Sequence, residues 1–245
     1  ALGSAGTIPF MLLSDLQQAL WGSGLIIRGG FHATAEDGIP IDDGPVCTVV
    51  LVGNVGEALW RAFSRSPEYS AGEAQSDPLD AWTTRILTAA ADNLGVRVVF
   101  PFQGPPYYPF QRWAQRADTV FPSPIGPLVH PKFGLWHAYR GALLAAERIE
   151  LPRREASASP CDTCADQSCL STCPVSAFSA QGYAVPQCVS HLKTAEGGPC
   201  VDLGCAARRA CPVGGDYQYV PDQATFHQLH FMRNNGQLND PEAGH

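Results

Sequence analysis

Eight of the nine cysteines of this chain lie within 51 residues, and no other feature constrains its fold and chemistry as strongly. They form two runs of four, each ending in a Cys-Pro pair: Cys161, Cys164, Cys169 and Cys173, then Cys188, Cys200, Cys205 and Cys211. Cysteine thiolates in such runs are the usual ligands of [4Fe–4S] clusters, and each cluster takes four of them. The eight cysteines therefore predict two [4Fe–4S] clusters that transfer single electrons.

The order of the cysteines also predicts which of them share a cluster. In two-cluster runs of the form C-x2-C-x2-C-x3-C-P, the cysteine before the proline binds the other cluster. The first run here has this form except that its middle gap is longer, C-x4-C. We therefore predict two ligand sets: Cys161, Cys164, Cys169 and Cys211 for the first cluster, and Cys173, Cys188, Cys200 and Cys205 for the second.

The sequence leaves three alternatives open: one cluster with spare cysteines, a zinc site, or disulfides. Zinc sites made of four cysteines favour paired C-x2-C knuckles, and Cys161 with Cys164 is the one such pair. Disulfides are typical of secreted chains, whereas residues 1–10 show no secretion-signal pattern, so we expect a cytoplasmic protein. The ninth cysteine, Cys47, lies in the apolar run 46–52, where we expect a small buried side chain rather than a ligand.

Composition narrows the choice of partners. The net charge is −7 and the 16 basic residues form no basic stripe, so binding to nucleic-acid phosphates is not expected. No run of about 18 apolar residues is present, so we expect no membrane association. The expected partner is a redox protein or a small-molecule substrate.

The distribution of cysteines divides the chain into three regions. Residues 1–154 are cysteine-poor and form the predicted α/β domain, residues 155–220 form the predicted two-cluster domain, and residues 221–245 form a C-terminal helix and tail. The join near residue 155 is polar and built of small residues, as is typical of a linker. The cysteine-rich region has few long apolar runs, so metal–thiolate bonds are expected to supply stability that apolar burial does not.

Strand and helix signals alternate along the first region. Short apolar runs predict strands at 25–27, 46–52, 96–100 and 135–144. Capping patterns predict helices beginning at Ser14, Asn54 and Asp77. Alternating strands and helices favour an α/β sandwich.

Two parts of the sequence resemble known families. The cysteine pattern, with the segment Gln187-Cys-Val-Ser-His-Leu192 between the two Cys-Pro pairs, resembles the ferredoxin-like module of epoxyqueuosine reductases and reductive dehalogenases. The segment Val129-His-Pro-Lys-Phe-Gly-Leu-Trp-His-Ala-Tyr-Arg-Gly141 is similar to part of the CblC-type cobalamin-processing proteins, whose fold is related to that of flavin nitroreductases. The resemblance implies a two-cluster module fused to a CblC/nitroreductase-like α/β domain.

The resemblance also implies a second cofactor, a corrinoid (cobalamin) or a flavin. Trp136, His137 and Arg140 are then the residues expected to line its site. Trp136 would form a wall against the ring, and the Arg140 guanidinium would bind an anionic group. In the alternative interpretation Trp136 packs in the core and Arg140 pairs with a carboxylate. His130 is expected to be a hydrogen-bonded loop residue rather than an axial metal ligand.

These observations predict an iron–sulfur electron-transfer protein and leave two functional classes open. In the first, a reductase passes electrons from the clusters to the corrinoid or flavin and then to an organic substrate. In the second, a pure electron carrier docks a partner reductase and its first domain holds no cofactor. The sequence assigns no catalytic residue, so it does not decide whether the chain is an enzyme.

Overall fold

The computed structural model of the chain describes residues 13–39, 44–72 and 77–236. These residues form two compact units. Unit 1 contains the described residues up to Asn54 together with Arg61–Asp118 and Ala138–Arg154. Unit 2 contains Val55–Trp60, Thr119–His137 and the described residues from Glu155 onward. Unit 2 therefore includes the cysteine-rich region and two segments that precede it by many residues.

A four-stranded sheet with strand order β1-β2-β4-β3 organises unit 1. Its strands are β1 (Ile26–His32), β2 (Thr48–Val55), β3 (Arg97–Val99) and β4 (His137–Ala145). The pairs β1/β2 and β3/β4 are antiparallel. Every residue of β2 except the last is buried, as expected of a central strand that is covered on both faces.

The first part of the described chain also contains a series of helices. They are α1 (Leu13–Ala19), α2 (Ala58–Phe63), α3 (Pro67–Ser70), α4 (Pro78–Leu94) and α5 (Phe110–Ala117). Helix α5 contacts β1, and α4 contacts β3. The predicted mixed α/β architecture is confirmed, and the pairs β1/β2 and β3/β4 within it are antiparallel.

Helix α4 shows how local sequence sets the ends of an element. Asp77 is the N-cap residue and Pro78 occupies the first turn, where its missing N–H is not needed. Gly95 ends the helix at φ 64°, a left-handed conformation that glycine adopts without a steric penalty. Between these ends, Trp82 and Leu87 are buried on the face that meets the core.

Three expectations for the first region are wrong. Ser14 lies inside α1 and is not its N-cap. Asn54 does not cap α2, because β2 continues past residue 52 and places Asn54 in the strand, where it is fully buried. Cys47 is exposed rather than buried. It lies one residue before β2, where its backbone bonds to Ala33 and Ala145 while its side chain faces solvent.

Unit 2 consists mainly of short helices. They are α6 (Ser168–Ser171), α7 (Val185–Leu192), α8 (Gly198–Asp202), α9 (Ala206–Arg209) and α10 (Pro221–Asn235). Strands β5 (Phe178–Ser179) and β6 (Gly182–Tyr183) form a small antiparallel hairpin. The predicted C-terminal helix is confirmed as α10, whereas residues 237–245 and 1–12 lie outside the described residues. Among the described helices, none has both the length and the apolar content needed to cross a bilayer.

A small apolar cluster lies at the centre of unit 2. Its buried members are Ile125, Val129, Leu135 and Ala207. The first three of these residues precede the cysteine-rich region by 20 residues or more, and the sequence pattern places them in the first domain. Most of the buried apolar residues that pack against the cysteine-rich region therefore come from an earlier part of the chain.

Candidate metal centres

The cysteines of unit 2 form two groups. The members of each group are those whose thiolates affect one another's pKa. Burial raises the pKa of the Cys161 thiol, and the neighbouring thiolates of Cys211 and Cys164 raise it further. Burial likewise raises the pKa of Cys169, and Cys211, Cys161 and Cys164 add to the effect. We call these four cysteines, Cys161, Cys164, Cys169 and Cys211, the first thiol group.

The remaining four cysteines form the second thiol group: Cys173, Cys188, Cys200 and Cys205. Burial raises the pKa of Cys188, and the thiolates of Cys205, Cys173 and Cys200 raise it as well. Burial also raises the pKa of Cys205, with further increases from Cys200 and Cys173. Each group therefore concentrates negative charge wherever its thiols ionise, which is the arrangement that a multivalent metal centre would neutralise.

The two groups have the same members as the two ligand sets predicted from the order of the cysteines. Cys173 and Cys211, which end the two runs, each lie with the cysteines of the other run. Helix α6, which carries Cys169, contacts helix α9, which lies between Cys205 and Cys211. This contact places the first cysteine run beside the last residues of the second run. Cys211 can therefore lie with the cysteines of the first run.

Both thiol groups rest on the apolar cluster of unit 2. Cys161, Cys169 and Cys211 of the first group pack against it, as do Cys173 and Cys205 of the second. Among the eight, Cys200 is the most enclosed, with 8% of its surface exposed. An apolar support of this kind keeps water away from one side of each group, which raises the cost of leaving thiolates without a positive partner.

Several N–H groups point at sulfur atoms of the second thiol group. The amide of Ala177 donates to Sγ of Cys173 at 3.3 Å. The amides of Ala207 and Arg208, at the start of α9, donate to Cys205. Hydrogen bonds of this type stabilise thiolate ligands and tune the electronic properties of the metal centre that they hold.

A tyrosine beside the second thiol group was not found from the sequence. The side chain of Tyr183 lies next to Cys188 and is 39% exposed. Partial burial of the ring and the neighbouring Cys188 thiol raise the pKa of Tyr183. No spacing rule connects a tyrosine to a cysteine, and the contact depends on the β5–β6 hairpin.

Two kinds of metal centre use four thiolates, and they differ in how closely the thiolates converge. Among the residues that the structure describes, no set of three or more His, Cys, Asp and Glu side chains is close enough to hold a metal ion. Zinc requires four ligands about 2.3 Å from one centre. A cubane instead binds each thiolate through a different iron atom, so its ligands are spread more widely. All nine cysteines, each within the described ranges, are free thiols.

Trp136, one of the three predicted cofactor-site residues, lies in unit 2 and is 3% exposed. The Arg208 guanidinium lies over its ring, 4.6 Å from the centroid. The Tyr219 ring meets it edge-on at 5.4 Å. The indole Nε1 is buried, and no described residue accepts its hydrogen bond. One face of the ring is thus covered by protein, while the N–H offers a donor.

The other two predicted residues lie at either side of the boundary between the units along β4. His137, in unit 2, is 8% exposed and its ring meets His130 edge-on at 6.1 Å. Arg140, in unit 1, donates from Nε to Oδ1 of Asn54 at 3.2 Å. The side-chain amide of Asn54 is thus one partner of Arg140, and the predicted anionic ligand or carboxylate stays a prediction. Trp136 precedes β4, so strand alternation does not set its direction.

The segment that carries the CblC-type resemblance begins with a tight turn in unit 2, where His130 and Gly134 form a β-bridge. Nδ1 of His130 accepts hydrogen bonds from the amides of Lys132 and Phe133 at 2.9 and 3.2 Å, as expected of a hydrogen-bonded loop histidine. Gly134 has φ 57°, and a Cβ atom there would overlap the backbone of Val213. The turn therefore holds the chain that follows Cys211, which gives this segment a structural role beside the first thiol group.

Unit 1 contains a buried polar cluster that was also not found from the sequence. Nη2 of Arg28 lies 2.7 Å from Oδ2 of Asp118, and both side chains are almost fully enclosed. The hydroxyl of Tyr139 donates to the same carboxylate oxygen at 2.8 Å. Burial raises the pKa of Tyr139, so the phenol remains a donor. Arg28 and Asp118 are 90 residues apart, so local pattern does not connect them.

Comparisons with known proteins identify similar folds and no closely related sequence. No protein-family model matches the chain, and no curated protein matches its sequence. The structure of CblC, a B12-trafficking protein of C. elegans, is similar with a TM-score of 0.53 and 14% identity, over 90% of this chain and 93% of that one. A crystal structure of epoxyqueuosine reductase has a TM-score of 0.52 and 12% identity, over 86% of this chain and 68% of that one. At these identities the similarity concerns the fold.

Proposed function

We propose that this chain is an iron–sulfur electron-transfer protein whose two thiol groups hold two [4Fe–4S] clusters. The observation that carries the proposal is the sorting of eight cysteines into two groups of four, with Cys173 and Cys211 exchanged between the runs. Four thiolates are the complement of one cubane. A structural zinc site would also use four thiolates, but its ligands would converge on one centre.

The residues around the groups suit this role. When bound, each cluster would accept one electron from a low-potential donor and release it to an acceptor. The apolar cluster beneath the thiols limits the access of water to them. Few solvent molecules then have to reorient when a bound cluster is reduced. The amides that point at Cys173 and Cys205 stabilise the added negative charge without moving.

Iron content and electron uptake test this proposal together. Anaerobically prepared protein is expected to take up about two electrons per chain in a reductive titration, one for each cluster. The variant Cys188→Ser, which removes one thiolate of the second group, is expected to take up about one. Cys47→Ser provides the matched control, because Cys47 is exposed and belongs to neither group. Uptake that is unchanged in Cys188→Ser would contradict the proposal.

The proposal has two versions, which differ in the group that finally accepts the electrons. For a reductase with a corrinoid or a flavin, support comes from the fold similarity to CblC and epoxyqueuosine reductase and from the unpaired indole N–H of Trp136. For a carrier without such a cofactor, support comes from the contacts of Trp136 with Arg208 and of Arg140 with Asn54. These contacts occupy groups that a cofactor would use, so no step is assigned to a corrinoid or a flavin.

Binding measurements decide between the two versions. Cobalamin and FMN are titrated separately into cluster-loaded protein, and binding is followed by equilibrium dialysis and by the cofactor absorption. A reductase is expected to bind one of them, and Trp136→Phe, which removes the indole N–H, is expected to weaken binding. The carrier version predicts that neither binds and that reduced protein transfers its electrons only to an added redox protein.

A further inference from the structure

A cleft of about 790 Å³ lies on the surface of unit 1. Its walls are the loops 38–39 and 103–109, and Arg112 in the first turn of α5 completes it. Half of the residues that line it carry proline or tyrosine rings, namely Pro105, Pro106, Tyr107, Tyr108 and Pro109. We call it the proline–tyrosine cleft. A ligand that enters it therefore meets mainly ring faces.

Both walls of the proline–tyrosine cleft are attached to α5. The backbone oxygen of Asp37 accepts hydrogen bonds from Nε1 of Trp113 at 2.8 Å and from Nη2 of Arg112 at 3.3 Å. On the other wall, the Tyr108 ring stacks on the fully buried Trp113, with centroids 5.8 Å apart and planes inclined by 24°. The cleft is thus formed before a ligand arrives, so binding has to order few protein groups.

The proline–tyrosine cleft is open to solvent. Tyr107 is 65% exposed, and the residues of the segment 103–106 are exposed as well. Small-molecule sites usually bury about 70–90% of their ligand, which an open cleft does not. Proline-rich segments, in contrast, dock in open grooves that are lined by aromatic rings. They bind with a small loss of entropy because the polyproline II conformation already exists in the free segment.

Charge restricts the ligand further. Among the described residues that line the cleft, Arg112 is the one with a charged side chain. Within the described part of the chain, its guanidinium donates to the Asp37 carbonyl alone. The rest of this planar fork matches the geometry of a carboxylate. Because the chain as a whole has a net charge of −7, a long acidic tract would be repelled, and a single acidic residue among prolines fits better.

We propose that the proline–tyrosine cleft binds a proline-rich segment of a partner protein that carries an acidic residue. The prolines of the segment pack on the ring of Tyr107, and its carboxylate pairs with Arg112. This inference goes beyond the proposed function, because it assigns a partner-binding surface to unit 1 and does not depend on what the thiols bind.

The test is fluorescence anisotropy of the full chain with two labelled peptides. One is a run of prolines with a single central glutamate, and the other has glutamine at that position. Both adopt polyproline II and differ in one charge. The glutamate peptide is expected to bind saturably and about fivefold more tightly than the glutamine peptide, as for one exposed ion pair. This comparison uses unmodified protein, so it does not depend on the folding of a variant.

Two variants and two matched controls locate the binding. Tyr107→Ala is expected to weaken both peptides about tenfold, because an exposed ring of the cleft is lost. Arg112→Gln is expected to abolish the preference for glutamate and to leave the affinity for the glutamine peptide unchanged. The controls are Trp21→Ala, which removes a ring that is 85% exposed, and Arg85→Gln; neither residue lines the cleft. Both controls are expected to bind like the unmodified protein.

Several results would overturn the proposal. They are the absence of saturable binding by both peptides, equal affinity for the two peptides, and equal loss of binding in Tyr107→Ala and Trp21→Ala. Benzoate is titrated in parallel as a small aromatic acid, and saturable binding of benzoate without binding of either peptide would also overturn it. None of these results changes the iron or sulfide content, so the proposed function is judged separately.

Discussion

Unit 1 and unit 2 achieve burial in different ways. Unit 1 covers a four-stranded sheet with helices, and its central strand β2 is enclosed on both faces. Unit 2 has short helices, a hairpin of two-residue strands and an apolar cluster with four buried members. Partly buried thiols pack around that cluster, whereas in unit 1 the enclosed charged groups form ion pairs such as Arg28 with Asp118.

The difference shows what each unit needs in order to be stable. In unit 1 an enclosed charge already has its opposite charge within the protein, so folding leaves no group uncompensated. In unit 2 the thiols lie beside one another, and burial together with neighbouring ionised thiols raises the pKa of Cys161, Cys169, Cys188 and Cys205. A metal centre would remove this repulsion and supply bonds that apolar burial does not. Four predictions test this contrast.

Removing a ligand from unit 2 is expected to have the largest effect. In Cys200→Ser the iron content should fall from about eight to about four atoms per chain, because one [4Fe–4S] cluster loses a thiolate in an enclosed position. The remaining structure of unit 2 should become sensitive to proteolysis, since cluster binding and folding are coupled. Metal analysis and limited proteolysis measure both effects. Cys47→Ser is the control, and an equal loss of iron there would argue against the assignment of ligands.

Removing the acidic partner from the buried pair of unit 1 should cost about 3 kcal/mol of unfolding free energy in Asp118→Asn, because the Arg28 charge then stays buried without compensation. The iron content and the visible absorption of the clusters should not change. Urea denaturation and metal analysis report these two quantities. The exposed pair of Arg85 with Glu68 offers the comparison, and Glu68→Gln should cost less than about 1 kcal/mol. Loss of iron in Asp118→Asn would contradict separate stabilisation of the two units.

The variant Gly134→Ala is expected to lower the unfolding free energy of unit 2 by about 2 kcal/mol or more. Alanine at φ 57° is strained by about 1–2 kcal/mol, and its Cβ would in addition overlap the Val213 backbone. Gly126→Ala is a matched control because Gly126 also has a positive φ, 99°, but open space around it. Denaturation of cluster-loaded protein, followed by the visible absorption, compares the two variants. Equal destabilisation would mean that the contact with Val213 contributes nothing.

The smallest expected effect is a pH dependence in unit 1. Burial alone would raise the pKa of Asp37, but hydrogen bonds from Arg116 and Thr34 and the Arg116 charge outweigh it and lower the pKa. A lowered carboxyl pKa contributes stability above the unfolded value of about 3.9, and that contribution is lost as the pH falls through the folded value. Asp37→Asn should reduce the unfolding free energy at pH 7 by about 1 kcal/mol. The variant should also show a weaker loss of stability below about pH 4; an unchanged slope would exclude this role for Asp37.

The sequence predicted the parts of the structure that depend on local pattern or on ligand order. The ends of α4 lie at Asp77-Pro78 and at Gly95, where the local pattern predicts them. The grouping of Cys211 with Cys161 followed from the position of the cysteine before each proline, although the two are 50 residues apart. The role of the thiols as cluster ligands, and the ferredoxin-like character of the region, stay predictions.

Contacts that depend on tertiary packing were not accessible from the sequence. Ile125, Val129 and Leu135 support the thiols from outside the cysteine-rich region, and no pattern links them to it. Tyr183 lies beside Cys188 because of the β5–β6 hairpin, in which it pairs with Phe178, and no local pattern predicts that contact. Cys47 illustrates the converse error, since an apolar neighbourhood in sequence did not place its side chain in the core.

The central claim is that eight thiolates of unit 2 hold two inorganic clusters, and the direct test is the content of iron, acid-labile sulfide and zinc in protein purified without oxygen. The account predicts about eight iron and eight sulfide per chain and no zinc. Colourless protein that contains zinc without sulfide, or thiols that have joined in disulfides, would contradict it.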